Sequence, residues 1–216
     1  MSIIKVVCEG QTEQAFVNRV LKPALEAQSI FVKASCVGGG LSYKPYRKDI
    51  ENSLREKPAY DVVTSMIDYY RLPSNFPGWT LPTRAKGDPY ARVRKLEEAF
   101  AENIADERFL PGIVLHEYEG LLFTSPEAIA DVVAEGRLLP RIERILKEFH
   151  GNPEAINERP EKSPALRLKK LYPAYDKRDH GPRIAERIGL STLRAKCQHF
   201  NAWLTEIERR CASVTT

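Results

Sequence analysis

Short apolar runs rich in β-branched residues alternate with amphipathic segments through the first two thirds of the chain, and this alternation strongly constrains the fold. The runs span residues 3–8, 30–37, 61–67 and 108–115. Strands that are buried on both faces of a parallel sheet have such continuous apolar sequences. Apolar residues at helical spacing fill the stretches near 12–25 and 90–104, and a polar helix is predicted near 46–56. The pattern therefore predicts an α/β fold with a mostly parallel sheet between layers of helices.

The remainder of the chain, after Ser125-Pro126, has a helical pattern almost to its end. Helices are predicted near residues 127–134, 139–149, 165–171, 182–188 and 192–209. In the first helix, Pro23 is expected to introduce a kink or to reset the hydrogen bonding. We therefore expect an α/β core over residues 1–125 and a helical C-terminal part over residues 126–216 that packs on this core.

Composition excludes several classes of protein. No apolar stretch approaches the roughly 20 residues needed to cross a bilayer, and the N-terminal run is too short for a signal peptide. The four cysteines form no C-x-x-C pair, which argues against a zinc ribbon and favours free thiols in a reducing compartment. These features predict a cytoplasmic protein that does not interact with membranes. The net charge of +4 is compatible with nucleic-acid binding but does not establish it.

Acidic residues follow three of the predicted strands: Glu9 the first, Asp68 the third, and Glu117 and Glu119 the fourth. The carboxyl ends of parallel strands meet at one edge of a sheet, where α/β proteins bind their ligands. Clustered carboxylates repel one another unless a cation neutralises them, and oxygen ligands suit Mg²⁺ or Mn²⁺. If the fourth strand continues that far, Glu117 and Glu119 lie on one face. The alternative is that these acids cap helices or are solvated.

Several motifs together resemble a known family. The segment 6–13, with its Glu9-Gly10 pair, looks like the first TOPRIM motif of OLD-family nucleases. Three further stretches extend the likeness: residues 66–73, the turn 76–78, and the HEYEGLLF run at 116–123. The C-terminal part adds 163–164, 175–177, Gly181 and 197–203. Nearly the whole chain therefore resembles a prokaryotic TOPRIM-like family named as a domain of unknown function, DUF4276.

This resemblance implies a TOPRIM-like mostly parallel sheet flanked by helices, with a helical C-terminal part. It also implies a Mg²⁺- or Mn²⁺-dependent nuclease in prokaryotic antiphage defence, with an ATPase partner of the ATP-binding-cassette or AAA type. Glu9 would act as general base or metal ligand, and Asp68 as metal ligand. One position departs from the family pattern, because Tyr70 replaces the second acid of the usual aspartate-x-aspartate pair. Either Glu117 and Glu119 supply the missing charge or metal binding is weak, since a phenol with a pKa of about 10 is a poor ligand.

Basic residues are concentrated between residues 162 and 194. We expect Lys162, Arg167, Lys170 and Lys177 to contact nucleic acid, because cations hold the phosphates of a substrate near clustered carboxylates. A solvated helical face is the alternative interpretation of the same pattern.

Three functions remain open. The first is a metal-dependent nuclease whose catalytic and metal-binding residues are Glu9, Asp68, Glu117 and Glu119. The second is a catalytically degenerate subunit that binds a partner or nucleic acid without cleavage, which Tyr70 favours. The third is nucleotidyl or phosphoryl transfer to a small substrate. Metal-dependent cleavage, binding without cleavage, and turnover of a free nucleotide distinguish them.

Overall fold

The fold is described from a computed structural model, which defines residues 1–38, 42–79, 88–156 and 162–213. Two stretches singled out in the sequence extend outside these ranges. The Gly38-Gly39-Gly40 run has the composition of a turn, but only Gly38 lies within the described ranges. The proline-rich stretch 69–89 has the composition of a long loop, and its residues 80–87 lie outside the described ranges.

A parallel sheet forms the centre of the fold. Its strands are β1 (Ser2–Cys8), β2 (Ile30–Cys36), β3 (Val62–Asp68), β4 (Phe109–Leu110) and β5 (Ile113–Val114). The order is β2-β1-β3-β4, and β5 also pairs with β3. All pairings are parallel, so the predicted sheet type is confirmed.

The register of the strands places their acidic ends together. Cys8 lies opposite both Cys36 and Met66, and Asp68 lies opposite Val114. Glu9, the residue after β1, therefore lies beside the end of β3. The sheet edge at which β1, β3 and β5 end is the edge expected to bind a ligand.

Helices account for most of the remaining chain. They are α1 (Gln11–Phe16), α2 (Lys22–Glu26), α3 (Lys44–Arg55), α4 (Pro89–Ile104), α5 (Glu119–Leu122), α6 (Pro126–Val132), α7 (Leu139–Glu148), α8 (Pro164–Leu171), α9 (His180–Ile188), α10 (Leu190–Lys196) and α11 (Gln198–Ser213). A π-helical turn, Val17–Leu21, joins α1 to α2. Pro23 lies just after this turn and cannot donate a backbone hydrogen bond, so the reset expected there takes the form of a π turn. Among the described residues, no helix is both long and apolar enough to span a membrane.

Two apolar cores cover the two faces of the sheet. On one face, Ile4, Val6 and Cys8 of β1 pack with α1, α2 and the C-terminal helices. On the other face, Val7 and residues of β3 pack with α3 and α4. Alternate side chains of β1 thus enter different cores, as expected for a strand between two helical layers.

The predicted fourth strand is interrupted at Pro111-Gly112. The Gly112 N–H donates to the Ser65 hydroxyl oxygen, and that hydroxyl donates to the Gly112 carbonyl oxygen, with distances of 3.0 and 3.1 Å. A side-chain bridge thus replaces part of the backbone ladder, and β5 ends at Val114. The strand does not extend to Glu117, so the expectation that Glu117 and Glu119 share a strand face is wrong. The single helix predicted at 192–209 is likewise two helices, because Cys197 has an extended conformation.

The four cysteines are free thiols. Cys8, Cys197 and Cys211 are buried in the first of the two cores, whereas Cys36 at the end of β2 is half-buried. Burial raises the pKa of Cys197 to about 12 and that of Cys211 to about 11. Cys8 thus behaves as a small buried hydrophobe.

Candidate metal centre

The ends of β1 and β3 are joined through their acidic residues. The backbone N–H of Asp68 donates to the Glu9 carboxylate at 3.2 Å, and the backbone N–H of Glu9 donates to the Met66 carbonyl oxygen at 3.1 Å. Glu9 is half-buried, whereas Asp68 is only 6% exposed. The ladder between β1 and β3 therefore delivers two carboxylates to one place.

Glu13 adds a further buried carboxylate, beyond the four residues expected to hold the metal. It is 4% exposed, and its carboxylate accepts a hydrogen bond from the Gly10 N–H at 2.9 Å. This bond satisfies a backbone N–H at the start of α1, where the N-cap glycine has no side chain to complete a capping box. A capping function alone does not require burial beside Glu9 and Asp68, so Glu13 belongs to the same acidic cluster.

The loop after β5 brings Glu117 and Glu119 to this cluster. His116 has a left-handed backbone (φ 63°), which turns the chain sharply after β5. The next residues are anchored individually: the Tyr118 N–H donates to the Asp68 carboxylate at 2.8 Å, and Glu117 accepts from the Ala165 N–H at 3.1 Å. Glu119 is the first residue of α5 and is 3% exposed. We call Glu9, Glu13, Asp68, Glu117 and Glu119 the acidic cluster.

Burial and mutual repulsion raise the pKa values of this cluster. Desolvation, followed by the charge of Glu13, raises the pKa of Glu9 to about 7. Desolvation and the charge of Glu117 raise the pKa of Glu119 to about 7. The pKa of Asp68 is well above its usual value, because it is buried and is repelled by all four of the other members. Such a cluster favours a neutralising cation.

Two exposed cations flank the cluster. The charges of Arg71, just after β3, and of Lys177, in the loop between α8 and α9, lower the pKa of Glu9. Lys177 also lowers the pKa of Glu119. Glu9 and Glu119 thus lie in the field of basic side chains at the surface of the site.

Several buried polar atoms without partners lie in or beside the same cluster. In the described part of the chain there are four: the hydroxyl oxygens of Tyr46 and Tyr175, the Glu119 Oε1 atom and the His116 Nδ1 atom. Burial and then the charges of Glu9 and Asp68 raise the pKa of Tyr46, and burial and then the charge of Glu119 raise that of Tyr175. The His116 ring instead packs against the rings of Tyr69 and Tyr70, and burial and then the charge of Arg92 lower its pKa to about 4. Because buried polar groups are normally hydrogen-bonded, the three such atoms in or beside the cluster indicate a place for a ligand.

The donor chemistry of the cluster fits a hard divalent cation. Its members are carboxylates, and Glu119 Oε1 is a buried acceptor without a donor. Across residues 1–38, 42–79, 88–156 and 162–213, however, no three histidine, cysteine, aspartate or glutamate side chains are already arranged to hold a metal ion. Binding therefore requires the carboxylates to draw together, and Glu9, Asp68, Glu117 and Glu119 are the residues that would hold the ion.

Tyr70 occupies the position of the second motif acid, and its neighbour is His116. It lies in a 3₁₀ turn, Tyr69–Arg71, and its ring packs 5.4 Å from the His116 ring. Its N–H donates to the His116 carbonyl oxygen at 3.0 Å. Because β3 ends at Asp68, the two-residue alternation of a strand does not continue to Tyr70.

The four basic residues expected to contact nucleic acid lie in two places. Lys177 is near the acidic cluster, as its effects on Glu9 and Glu119 show. Lys162, Arg167 and Lys170 instead line a groove of about 310 Å³ beside α7 and α8. The linear sequence gave no sign of this separation.

The chain is similar to the C-terminal regions of two OLD proteins. The C-terminal region of the Burkholderia pseudomallei OLD protein is similar at 15% identity and a TM-score of 0.48, over 97% of this chain and 99% of that one. The C-terminal region of the Xanthomonas campestris pv. campestris OLD protein is similar at 18% identity and a TM-score of 0.40, over 96% and 97%. No curated protein sequence matches. A family model described as a domain of unknown function (DUF4276) matches residues 8–208.

Proposed function

The chain belongs to the DUF4276 family, and we propose that it is a metal-dependent nuclease subunit that cleaves a nucleic-acid phosphodiester. One observation carries this proposal: five carboxylates converge at a sheet edge, where Glu119 Oε1 and the hydroxyl oxygens of Tyr46 and Tyr175 are buried without hydrogen-bond partners. A bound Mg²⁺ or Mn²⁺ would polarise the phosphodiester and activate water. The resemblance to TOPRIM nucleases gives Glu9 the function of general base or metal ligand.

The functions of the other cluster residues and of their neighbours follow from the chemistry of their side chains. Asp68, Glu117 and Glu119 hold the cation with Glu9. Lys177 and Arg71 offset the negative charge that the phosphate would otherwise meet from the carboxylates. The hydroxyl groups of Tyr46 and Tyr175 are hydrogen-bond donors available to a phosphoryl oxygen or to water.

We further propose that this subunit acts in the cytoplasm, in prokaryotic antiphage defence, with an ATPase partner of the ATP-binding-cassette or AAA type. The resemblance of the motifs supports this part of the proposal. A catalytically degenerate subunit that binds a partner or nucleic acid is the second candidate. Tyr70 in place of the second motif acid favours it, as does the lack of any preformed three-residue metal site among the described residues.

Cleavage assays test the proposal directly. Labelled DNA and RNA are incubated with Mn²⁺ or Mg²⁺ and with wild type, Glu9→Gln or Glu119→Gln. Glu143→Gln is the matched control, because Glu143 is exposed on α7. We expect cleavage by wild type and by the control, and its loss in the two cluster variants. Metal-independent cleavage, or cleavage retained in both cluster variants, contradicts the proposal.

The same preparation distinguishes the other candidates. Binding of nucleic acid without cleavage under any metal condition, with a candidate ATPase present, would favour the degenerate subunit. Turnover of a free nucleotide in preference to a polynucleotide would favour transfer to a small substrate.

A further inference from the structure

A basic groove lies between α7 and α8, away from the acidic cluster. It is lined by Arg141, Arg144, Ile145, Lys162, Arg167, Lys170 and Leu171, and we call it the α7–α8 groove. Five of these side chains are cationic, and the other two are apolar. The groove therefore has a surface suited to an extended polyanion.

Arg141 and Arg144 supply uncompensated charge. Both are exposed on α7, and neither forms a hydrogen bond or an ion pair through its side chain in the part of the chain that the structure describes. They lie three residues apart, so they project from adjacent turns on one side of the helix. No hydrogen bond or ion pair of either side chain with the described residues stabilises the fold, so stabilisation does not explain the two arginines.

Arg167, by contrast, is held in place as a wall of the groove. Its guanidinium packs 5.1 Å from the centre of the Phe149 ring and contacts the Glu148 carboxylate at 3.5 Å. Its Nε–H donates to the Lys162 carbonyl oxygen at 2.8 Å. These contacts fix the relative positions of the end of α7, α8 and the segment just before α8, so the groove is a built feature of the fold.

Helix α8 connects the groove to the acidic cluster. The Ala165 N–H in its first turn donates to the Glu117 carboxylate, and Arg167 and Lys170 follow on the same helix. The eight residues of α8 span about 12 Å, at about 1.5 Å per residue. Phosphates along a single strand are separated by several ångströms, so a strand bound at the cluster reaches the groove within a few nucleotides.

We propose that the α7–α8 groove binds the phosphate backbone of the polynucleotide whose scissile phosphate lies at the acidic cluster. This inference rests on the proposed nuclease function and identifies Arg141 and Arg144 as its substrate-positioning residues. The groove makes the enzyme prefer a polynucleotide to a small phosphodiester, because only a polynucleotide reaches from the acidic cluster to the groove. An acidic peptide of a partner protein would also be attracted by charge, but it has no reason to continue towards the carboxylates.

Binding without metal tests the groove separately from the chemistry. Fluorescence anisotropy with labelled single-stranded and duplex oligonucleotides of about 16 nucleotides is measured in EDTA, from about 50 to 200 mM salt. The double variant Arg141→Gln/Arg144→Gln is compared with wild type. We expect the slope of log K against log salt to become shallower by about 1.4 for a single strand or about 1.8 for a duplex, since two phosphate contacts are lost.

The control double variant is Arg137→Gln/Arg209→Gln. It removes the same charge from two exposed arginines outside the groove. We expect its salt slope to equal that of wild type. An unchanged slope in the groove variant, or an equal change in the control, overturns the proposal and would leave an acidic protein partner as the occupant to be tested.

A small substrate separates failure of the groove from failure of the nuclease proposal. With Mn²⁺, hydrolysis of bis(p-nitrophenyl) phosphate by the groove variant should equal that of wild type, while its cleavage of the oligonucleotide falls. Equal losses on both substrates overturn the positioning function of the groove. If wild type hydrolyses neither substrate, the nuclease proposal fails, whereas the anisotropy result still decides whether the groove binds nucleic acid.

Discussion

The Asp68 carboxylate accepts a hydrogen bond from the backbone N–H of Tyr118, and the two atoms are 2.8 Å apart. This contact fixes the loop that carries Glu117 and Glu119 to the end of β3. The Tyr118 hydroxyl in turn donates to the Gly181 carbonyl oxygen at 3.2 Å. One residue therefore links the sheet, the acidic loop and α9.

Asp68→Asn and Asp68→Ala are expected to differ in stability although both lose activity. Asparagine retains an acceptor for the Tyr118 N–H and removes a repelled charge, so the metal-free variant should be at least as stable as wild type. Alanine leaves that buried N–H without a partner, at a cost of about 1–3 kcal/mol. Loss of a metal ligand should reduce cleavage at least about 100-fold in both. Urea denaturation in EDTA and cleavage assays measure these effects; an Asp68→Asn protein less stable than Asp68→Ala would contradict the first.

The acidic cluster should give the metal-free protein an unusual dependence of stability on pH. The pKa values of Glu9 and Glu119 are raised from 4.5 to about 7. Between these values the folded state binds more protons than the unfolded state, so their contribution to the free energy of unfolding is greatest below about pH 4.5 and is lost as pH rises through about 7. Melting of wild type and of Glu9→Gln/Glu119→Gln in EDTA measures this contribution by difference. A difference that does not vary across this window would contradict the prediction.

Binding of a divalent cation should offset the repulsion among the ionised carboxylates that destabilises the folded protein at high pH. It competes with protons for the carboxylates, so Mn²⁺ should raise the melting temperature of wild type more at about pH 8 than at about pH 5. In the double variant the effect of Mn²⁺ should be largely lost at both pH values. Equal stabilisation of wild type and of the double variant would place cation binding elsewhere on the chain.

Two tyrosines of similar burial should respond oppositely to loss of their hydroxyl groups. Tyr46→Phe removes a buried hydroxyl without a partner and should raise the free energy of unfolding of the metal-free protein by up to about 1 kcal/mol. Tyr118→Phe removes the bond to Gly181 and should lower it by about 1 kcal/mol. Chemical denaturation in EDTA compares them. If Tyr46→Phe is more stable than wild type but cleaves more slowly, the Tyr46 hydroxyl acts on the ligand rather than on the fold. A loss of stability in this variant would show that the hydroxyl has a structural partner.

Gly112→Ala should be strongly destabilising. A Cβ atom there would collide with the Ser65 carbonyl oxygen and with the Trp203 indole nitrogen, so β5 would have to move away from β3. We expect a loss of about 3 kcal/mol or more, measured by thermal or urea unfolding. Gly136→Ala is the matched control, because a Cβ at that position meets nothing within 4 Å. Comparable stability of the two variants would show that the break between β4 and β5 is not tightly packed.

The sheet was predictable because its strands are buried on both faces. The apolar runs of β1 and β3 have no other stable placement than between two helical layers, and parallel strands necessarily bring Glu9 and Asp68 to one edge. Glu117 and Glu119 reach that edge for a reason different from the expected one. A left-handed His116 and the start of α5 position them, and neither feature follows from strand alternation.

Other parts of the site depend on tertiary packing that local patterns do not encode. Tyr46 comes from α3, and Tyr175 comes from the connection between α8 and α9, more than a hundred residues away. No spacing relates them to each other or to Glu119. The basic residues around 162–177 form one group in the sequence, yet Lys177 lies near the carboxylates while Arg167 lines the α7–α8 groove. The fold of the helical region decides this division.

The unequal burial of the cysteines has a practical consequence. Cys36 is half-buried, and its Sγ atom lies 3.8 Å from the carbonyl oxygen of Glu9, whereas burial raises the pKa of Cys8, Cys197 and Cys211. A maleimide or iodoacetamide dye should therefore modify Cys36 first, since thiolates are the reactive species. The native chain thus contains its own attachment point for a fluorescent reporter next to the carboxylates, through which occupancy of the site can be followed in real time without engineering a cysteine.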